Sequence, residues 1–530
     1  MRGFEVILGL IFVATLLQPL ARRLDVPLAI AQVFGGVLLS TLPFLPTVPF
    51  NPELTFVLFV PPLLYRAAST SSLRDTRKNA RPILLLAVAL VLVTIAAVAA
   101  VAHAIAPQIP WTAAFVLGAI VAPSDADVTT SIVRRLGLPP RLVTVLEGET
   151  LLNDTTAFVS YRMAVAAAAV GSFSIGWAAS TFLIATVVGL AVGLAVGWVF
   201  RVLRQYVTDA VAVSTLSLAT PFAAYLLAES VRGSGVLAVV AAGALASRTP
   251  LRSTSARTRV RSNVVWDTAT FTVGALVFTL IGLQVGRLIP EFLRMDALSF
   301  IFAVALISVV VVATRVLYIF PAAYLPRLLS PSLRARDPIP PWRALVVLGW
   351  AGLRGGDTLV MALAVPIQTA SGAPFPARDM IVSIAFGVIL ATLLGQGFTL
   401  RPLIKRFNLP RGDVVETEER RAREEAEQAA MQALEEIGGQ GHIPANALVQ
   451  MRAAISQRTR LDLDDTEHAG GHTGLTLEDA IRDAEQQVRD ASRDAVARLR
   501  DDEVIGDAAF LRVLSDLDLD EVRNIDEPII

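Results

Sequence analysis

The stretch GETLLNDTTAF at 148–158 puts two carboxylates, Glu149 and Asp154, with Thr150 and Asn153 between them, into a run otherwise apolar enough for a lipid bilayer. Thr150 and Asp154 are four residues apart, as are Glu149 and Asn153, so in a helix they form two adjacent stripes. One stripe offers a hydroxyl with a carboxylate, the other a carboxylate with an amide. Oxygen donors of this kind suit hard cations. The chain has no cysteine and no histidine cluster in its apolar part, so disulfides and thiolate metal sites are excluded and a transition metal fits poorly.

Two other apolar runs carry groups of the same kind. GAIVAPSDADVTTSIV at 118–133 contains Ser124 and Asp125, and VLGWAGLRGGDTLVMAL at 347–363 contains Arg354. At 1.5 Å per residue, Asp125 lies roughly 20 Å into its run, and Asp154 and Arg354 roughly 18 Å into theirs. In a hydrocarbon core of about 30 Å these positions are near mid-depth. Charges there are costly, and they face a bundle interior or a wet cavity rather than lipid.

The elements that must position these groups are membrane helices. Of 530 residues 54% are hydrophobic, and the mean hydropathy is +0.60. Thirteen apolar segments run from 3–21 to 379–400, among them 82–106, 111–133, 142–170, 297–326, 342–367 and 379–400. Basic residues concentrate in alternate loops: Arg22 and Arg23, then Arg74, Arg77, Lys78 and Arg81, then Arg134, Arg135 and Arg141, and so on to Arg401–Arg411. Basic loops stay in the cytoplasm, which places the N-terminus outside and the C-terminus inside. Pro123 removes a backbone donor from the fifth segment, and Gly352, Gly355 and Gly356 loosen the twelfth, so both read as helices broken at mid-membrane. They hold matching places in two trios of opposite direction, four to six and eleven to thirteen. That pattern of inverted repeats points to the binding site of a secondary transporter.

After residue 410 the composition changes. The tail 411–530 holds 29 Asp and Glu against 14 Arg, while the rest holds 32 basic residues against 17 acidic. The sequence thus divides into a transmembrane domain, 1–410, and an acidic helical tail, 411–530, that reads as a solvated helix, a partner surface or a regulatory element. The balance of charge gives no reason to expect a nucleic-acid partner. Neither lysine, Lys78 or Lys405, sits in a phosphate-binding loop, which argues against a P-loop ATPase. His468 and His472 in HAGGH read as a surface loop rather than a metal clip.

The chain resembles the monovalent cation:proton antiporters, in particular the bacterial NhaP-type group related to animal sodium/hydrogen exchangers. The resemblance covers about 1–405 and rests on PPLLY at 61–65, APSDADV at 122–128, EGETLLND at 147–154, FTLIGLQ at 278–284, GLRGG at 352–356 and GQGFTLRPL at 395–403. It implies that Asp154 binds cation and proton, that Asp125 with Ser124 marks the broken-helix crossing, and that Thr150 is a cation ligand. Asn153 looks like the neutral partner of the electroneutral branch, and Glu149 and Arg354 like the family's buried structural ion pair. Ala126, Asp127 and Arg66 depart from the family pattern; Arg66 stands where some relatives carry an acidic residue.

The expected function is antiport of Na⁺, with Li⁺ or K⁺ as alternatives, against H⁺ by alternating access in the bacterial inner membrane. No cofactor and no catalytic residue is called for, and the resemblance implies a homodimer. A K⁺-selective exchanger of the same fold is the main rival. An intramembrane aspartic protease using Asp125 and Asp154, and an ion channel, are weaker ones.

Overall fold

The computed structural model describes all residues except 1, 25, 42–51, 126–128, 130–137, 171–174, 208, 248–254, 293–296, 338, 370–371, 408–412, 440–442, 459–474 and 527–530. Asp127, Ala126, His468 and His472 lie outside the described residues. Among the described residues the architecture is helical, with one isolated β-bridge between Gln368 and Pro374.

Among the described residues, six helices are long and apolar enough to cross a membrane: Ala80–Ile105, Ser180–Tyr206, Ala210–Ser230, Ala256–Gln284, Leu298–Leu329 and Arg378–Phe407. Leu28–Ser40, Trp111–Val121 and Gly235–Ala246 are shorter apolar helices. Pro140–Val170 carries the GETLLND stretch. Shortness has local causes. Trp111–Val121 stops just before Pro123, and Gly235–Ala246 starts at Ser234, whose hydroxyl accepts from the Leu237 N–H. Ala80–Ile105 contains a π-helical turn at Leu85–Leu90.

Burial separates two kinds of helix. Trp111–Val121 is enclosed from Ala113 onward, apart from Phe115, as a helix apolar all round should be. Ile175–Tyr206 and Ala297–Leu329 instead expose Leu183, Val187 and Trp198, and Ile301, Phe302 and Leu317, on their outer faces. Exposed apolar side chains at membrane depth are satisfied by lipid. Some helices meet backbone to backbone. A Cβ on Gly36 would fall 2.0 Å from the Thr279 carbonyl, and one on Gly282 would fall 1.9 Å from the Val33 carbonyl. Small residues at such crossings let helices gain dispersion contact where no hydrophobic drive exists between them.

The chain divides into two compact units. The membrane unit comprises Met1–Thr208, Thr215–Thr249 and Val265–Arg411; the other comprises Asp209–Ser214, Pro250–Val264 and Gly412–Ile530. The second unit therefore includes two short pieces that lie before residue 410. Its own core is amphipathic: Ile481, Ala484, Val488, Ala495 and Val496 of Leu475–Asp501 are buried at helical spacing, as are Ala422, Ala426, Ala430 and Leu434 of Asp413–Gly439.

Candidate ion site at the helix crossing

Both expected breaks exist. Trp111–Val121 ends before an unwound stretch at 122–125. Trp342–Trp350 and Gly356–Leu363 are separated by non-helical residues 351–355. The two unwound stretches bond to each other. The Asp125 N–H donates to the Leu353 carbonyl at 2.8 Å, and Thr129 donates to the Ala351 carbonyl at 2.9 Å.

Each break exposes helix ends whose backbone groups need partners, and each is capped by a charge from the other. Arg354 Nε donates to the carbonyl of Val121, the last residue of its half-helix, at 2.7 Å, and Nη1 donates to the Gly352 carbonyl. A cation there also opposes the negative end of that helix dipole. Conversely, the N–H of Gly356, first residue of Gly356–Leu363, donates to Asp125 Oδ2 at 2.8 Å. A carboxylate at a helix N-terminus is stabilised by the same dipole. Glycine is required beside it: a Cβ on Gly355 would sit 2.0 Å from Asp125 Oδ2.

The expectation that Glu149 pairs with Arg354 is corrected by the geometry. Glu149 is held by Arg315: Nη2 reaches Oε2 at 2.8 Å and Nη1 binds Oε1, with both side chains almost fully buried. The Arg315 fork also donates to the Leu348 carbonyl at 3.3 Å. The cause lies in the space at the break. Gly352 leaves room for the Arg315 stem, which a Cβ there would meet at 2.4 Å, while the Arg354 guanidinium is committed to the carbonyls of the broken helix. Arg315, which the sequence shows only as one more charge within a span, is the partner of Glu149.

Ser124 and Asn153 extend this network. Ser124 Oγ donates to Glu149 Oε1 at 3.3 Å. Asn153 Nδ2 donates to Ser124 Oγ at 3.0 Å and to the Ser124 carbonyl at 3.3 Å. Arg315, Glu149, Ser124 and Asn153 form one buried chain that ties Pro140–Val170 to the unwound stretch.

The other stripe of Pro140–Val170 faces open space. A cavity of about 370 Å³ is lined by Glu147, Thr150, Leu151 and Asp154 from this helix, together with Asp125, Gly356 and Asp357 at the crossing. Arg66, Thr70 and Ser71 also line it, as do Thr270, Gly274 and Phe278. Of the five residues expected to hold the ion, Asp125, Thr150 and Asp154 reach this cavity, whereas Ser124 and Asn153 are not among its lining residues. Glu147 and Asp357 were missed. Glu147 was readable, because 147, 150, 151 and 154 keep the i, i+3, i+4, i+7 spacing of one helical stripe. Arg66 is not a simple loss of an acidic ligand: it donates to Asp267 Oδ1 at 2.9 Å on the cavity side of Pro52–Thr70.

The chain is similar to known proteins over most of its length. The sodium/hydrogen exchanger transmembrane family matches residues 8–406. An uncharacterised Na⁺/H⁺ exchanger of Mycobacterium tuberculosis is 31% identical over 529 residues, covering 99% of this chain and 96% of the relative. A sodium, potassium, lithium and rubidium/H⁺ antiporter of Bacillus pumilus is 32% identical, covering 70% of this chain and 56% of that protein. The solved sodium proton antiporter MjNhaP1 of Methanocaldococcus jannaschii superposes with a TM-score of 0.61 at 16% identity, covering 77% of this chain and 99% of that one. That likeness shows the fold to be of the NhaP type. The chain is a multi-pass membrane protein that belongs to the sodium/hydrogen exchanger family.

Proposed function

We propose that this protein exchanges a monovalent cation, Na⁺ first with Li⁺ and K⁺ as alternatives, for H⁺ by alternating access. The observation that carries the reading is that Asp154, Thr150 and Asp125 line one cavity, while the neighbouring polar groups Glu149, Ser124 and Asn153 bond to one another and to Arg315.

Asp154 is the carrier in this mechanism. Its ionised carboxylate supplies counter-charge to a cation, with the Thr150 hydroxyl one turn away; a proton on the same group removes the attraction. An empty, ionised carboxylate is penalised by desolvation whenever the site closes to water, so only a loaded site crosses readily. That penalty couples the two fluxes. Asp125 contributes a second carboxylate, but one of its oxygens is also the cap of Gly356–Leu363. Asn153 acts as a hydrogen-bond donor rather than a charge. A neutral amide rather than a second aspartate beside Asp154 supports electroneutral exchange.

Thr70 and Ser71 lie at the end of Pro52–Thr70 that leads into the short basic helix Leu73–Lys78, with Arg74, Arg77 and Lys78. With basic loops in the cytoplasm, the N-terminus is outside, the acidic tail inside, and the cavity opens inward. The reading places thirteen spans in a bacterial inner membrane and takes a homodimer as the working unit. Purified protein in vesicles should show proton flux that is driven by Na⁺, saturates, and collapses when either gradient is clamped. Comparison with K⁺ and Li⁺ ranks the cations. A cation current without coupled proton movement would overturn the reading.

A further inference from the structure

A second cleft, separate from the ion cavity, lies where four membrane helices end. Its residues come from the first turns of Ala80–Ile105 and Pro140–Val170, the last turns of Ala297–Leu329, and Trp342–Trp350. Its walls are apolar, formed by Pro82, Leu85, Leu142, Val145, Ile319 and Leu348. Leu85 opens the π-helical turn, and such turns widen a helix and recur at functional sites. None of these residues lines the ion cavity.

Three guanidinium groups, Arg81, Arg141 and Arg327, share this apolar cleft. One carboxylate, Asp337, serves them. Its Oδ1 accepts from Arg141 at 2.6 Å and its Oδ2 from Arg327 at 2.6 Å. Arg141 is further held by Asn79 Oδ1 at 3.1 Å, and Arg327 by the Ala323 carbonyl. Arg81 is left over: its Nη1 is buried, donates no hydrogen bond, and stands 4.0 Å from Asp337 Oδ2. Burial pushes the Asp337 carboxyl up, but the Arg141 and Arg327 hydrogen bonds outweigh it and hold it below the usual range. Asp337 is therefore ionised at neutral pH, and three cations face one anion.

We infer that this cleft binds the phosphate of an anionic phospholipid, with an acyl chain against its apolar wall. Guanidinium groups match phosphate geometry with several donors at once. Basic pockets between membrane helices on the cytoplasmic side are the places where acidic headgroups dock. A soluble phosphate would satisfy the arginines but leave the apolar wall wet, which favours the lipid as the source. The lipid would lie against Leu348, whose carbonyl holds Arg315, and against Leu142 and Val145 on the helix that carries Glu149. It would brace the elements of the crossing without touching the ion.

The test uses full-length protein in detergent and reads lipid binding, not exchange, so it stands apart from the transport reading. Native mass spectrometry with phosphatidylglycerol and phosphatidylcholine in equal amounts should show preferential retention of phosphatidylglycerol, with a matching rise in melting temperature. Arg81→Gln should cut that preference about fivefold, as expected for one arginine at an anionic membrane surface. Arg81→Lys should keep part of it, which separates lost charge from misfolding. The inference is overturned if the two lipids bind equally, or if Arg81→Gln, folded, keeps the full preference. It is also overturned if inorganic phosphate alone gives the whole stabilisation and displaces the lipid.

Discussion

Glu149 in the membrane unit and Asp518 in the other unit are both buried carboxylates held by arginine, under different conditions. Glu149 takes both terminal nitrogens of one arginine, Arg315, and a hydroxyl from Ser124, and the chain ends at Asn153 within the same buried region. Asp518 is shared by Arg259, at 2.6 Å, and Arg493, at 2.9 Å, and Arg493 also holds Glu521. Arg259, Arg493 and Glu521 are 13–17% exposed, against 2–3% for the membrane pair. Where water is absent, every charge must find its partner inside the protein. Where water is near, a network can trail toward the surface and leave its last member to solvent.

The largest effect belongs to Asp154, which lines the ion cavity one helical turn after Thr150. Asp154→Asn should reduce cation-driven proton flux in vesicles to background while leaving the melting temperature close to wild type; wild-type flux would remove Asp154 from the carrier role. Next comes the membrane pair. Glu149→Gln or Arg315→Met leaves a buried charge without its counter-charge and should cost about 3–5 kcal/mol, with the double variant less damaged than the sum. A thermal-melt cycle should give stronger coupling of Glu149 to Arg315 than to Arg354; the reverse order would restore the pairing that the sequence suggested. Third is the close approach at the crossing. Gly355→Ala puts a methyl against Asp125 and should cost about 1–3 kcal/mol, the range for overpacking, with weaker apparent cation affinity. The smallest effect on transport should come from the second unit. Asp518→Asn should weaken that unit by about 1–3 kcal/mol, the scale of a charged hydrogen bond, and leave exchange within about twofold of wild type.

The fold was legible because bilayers impose strong rules. Apolar length marks helices, and Pro123 and the 352–356 glycines mark the breaks whatever surrounds them. The two stripes of Pro140–Val170 were legible from spacing alone, and they do face different surroundings, the cavity and the crossing. What spacing cannot supply is which partner lies across a helix interface. Glu149 and Arg315 are separated by 166 positions, and two arginines stood at suitable depth. The choice between them was made by Gly352, through room for a side chain on another helix. Ser124 shows a related ambiguity: a hydroxyl in a broken helix serves an ion or a neighbouring side chain equally well until the neighbours are placed, and here it donates to Glu149.

The Gly356 N–H bond to Asp125 Oδ2 has a consequence in the language of thermodynamic reciprocity. A single side chain, Asp125, both borders the cavity and holds the end of a half-helix. If slackening that bond changes cation affinity by some factor, cation binding must change the equilibrium of the crossing by the same factor. Substitutions far from the cavity that shift either half-helix would then surface as altered apparent affinity, with no ligand touched. Such variants would read out the stiffness of the joint.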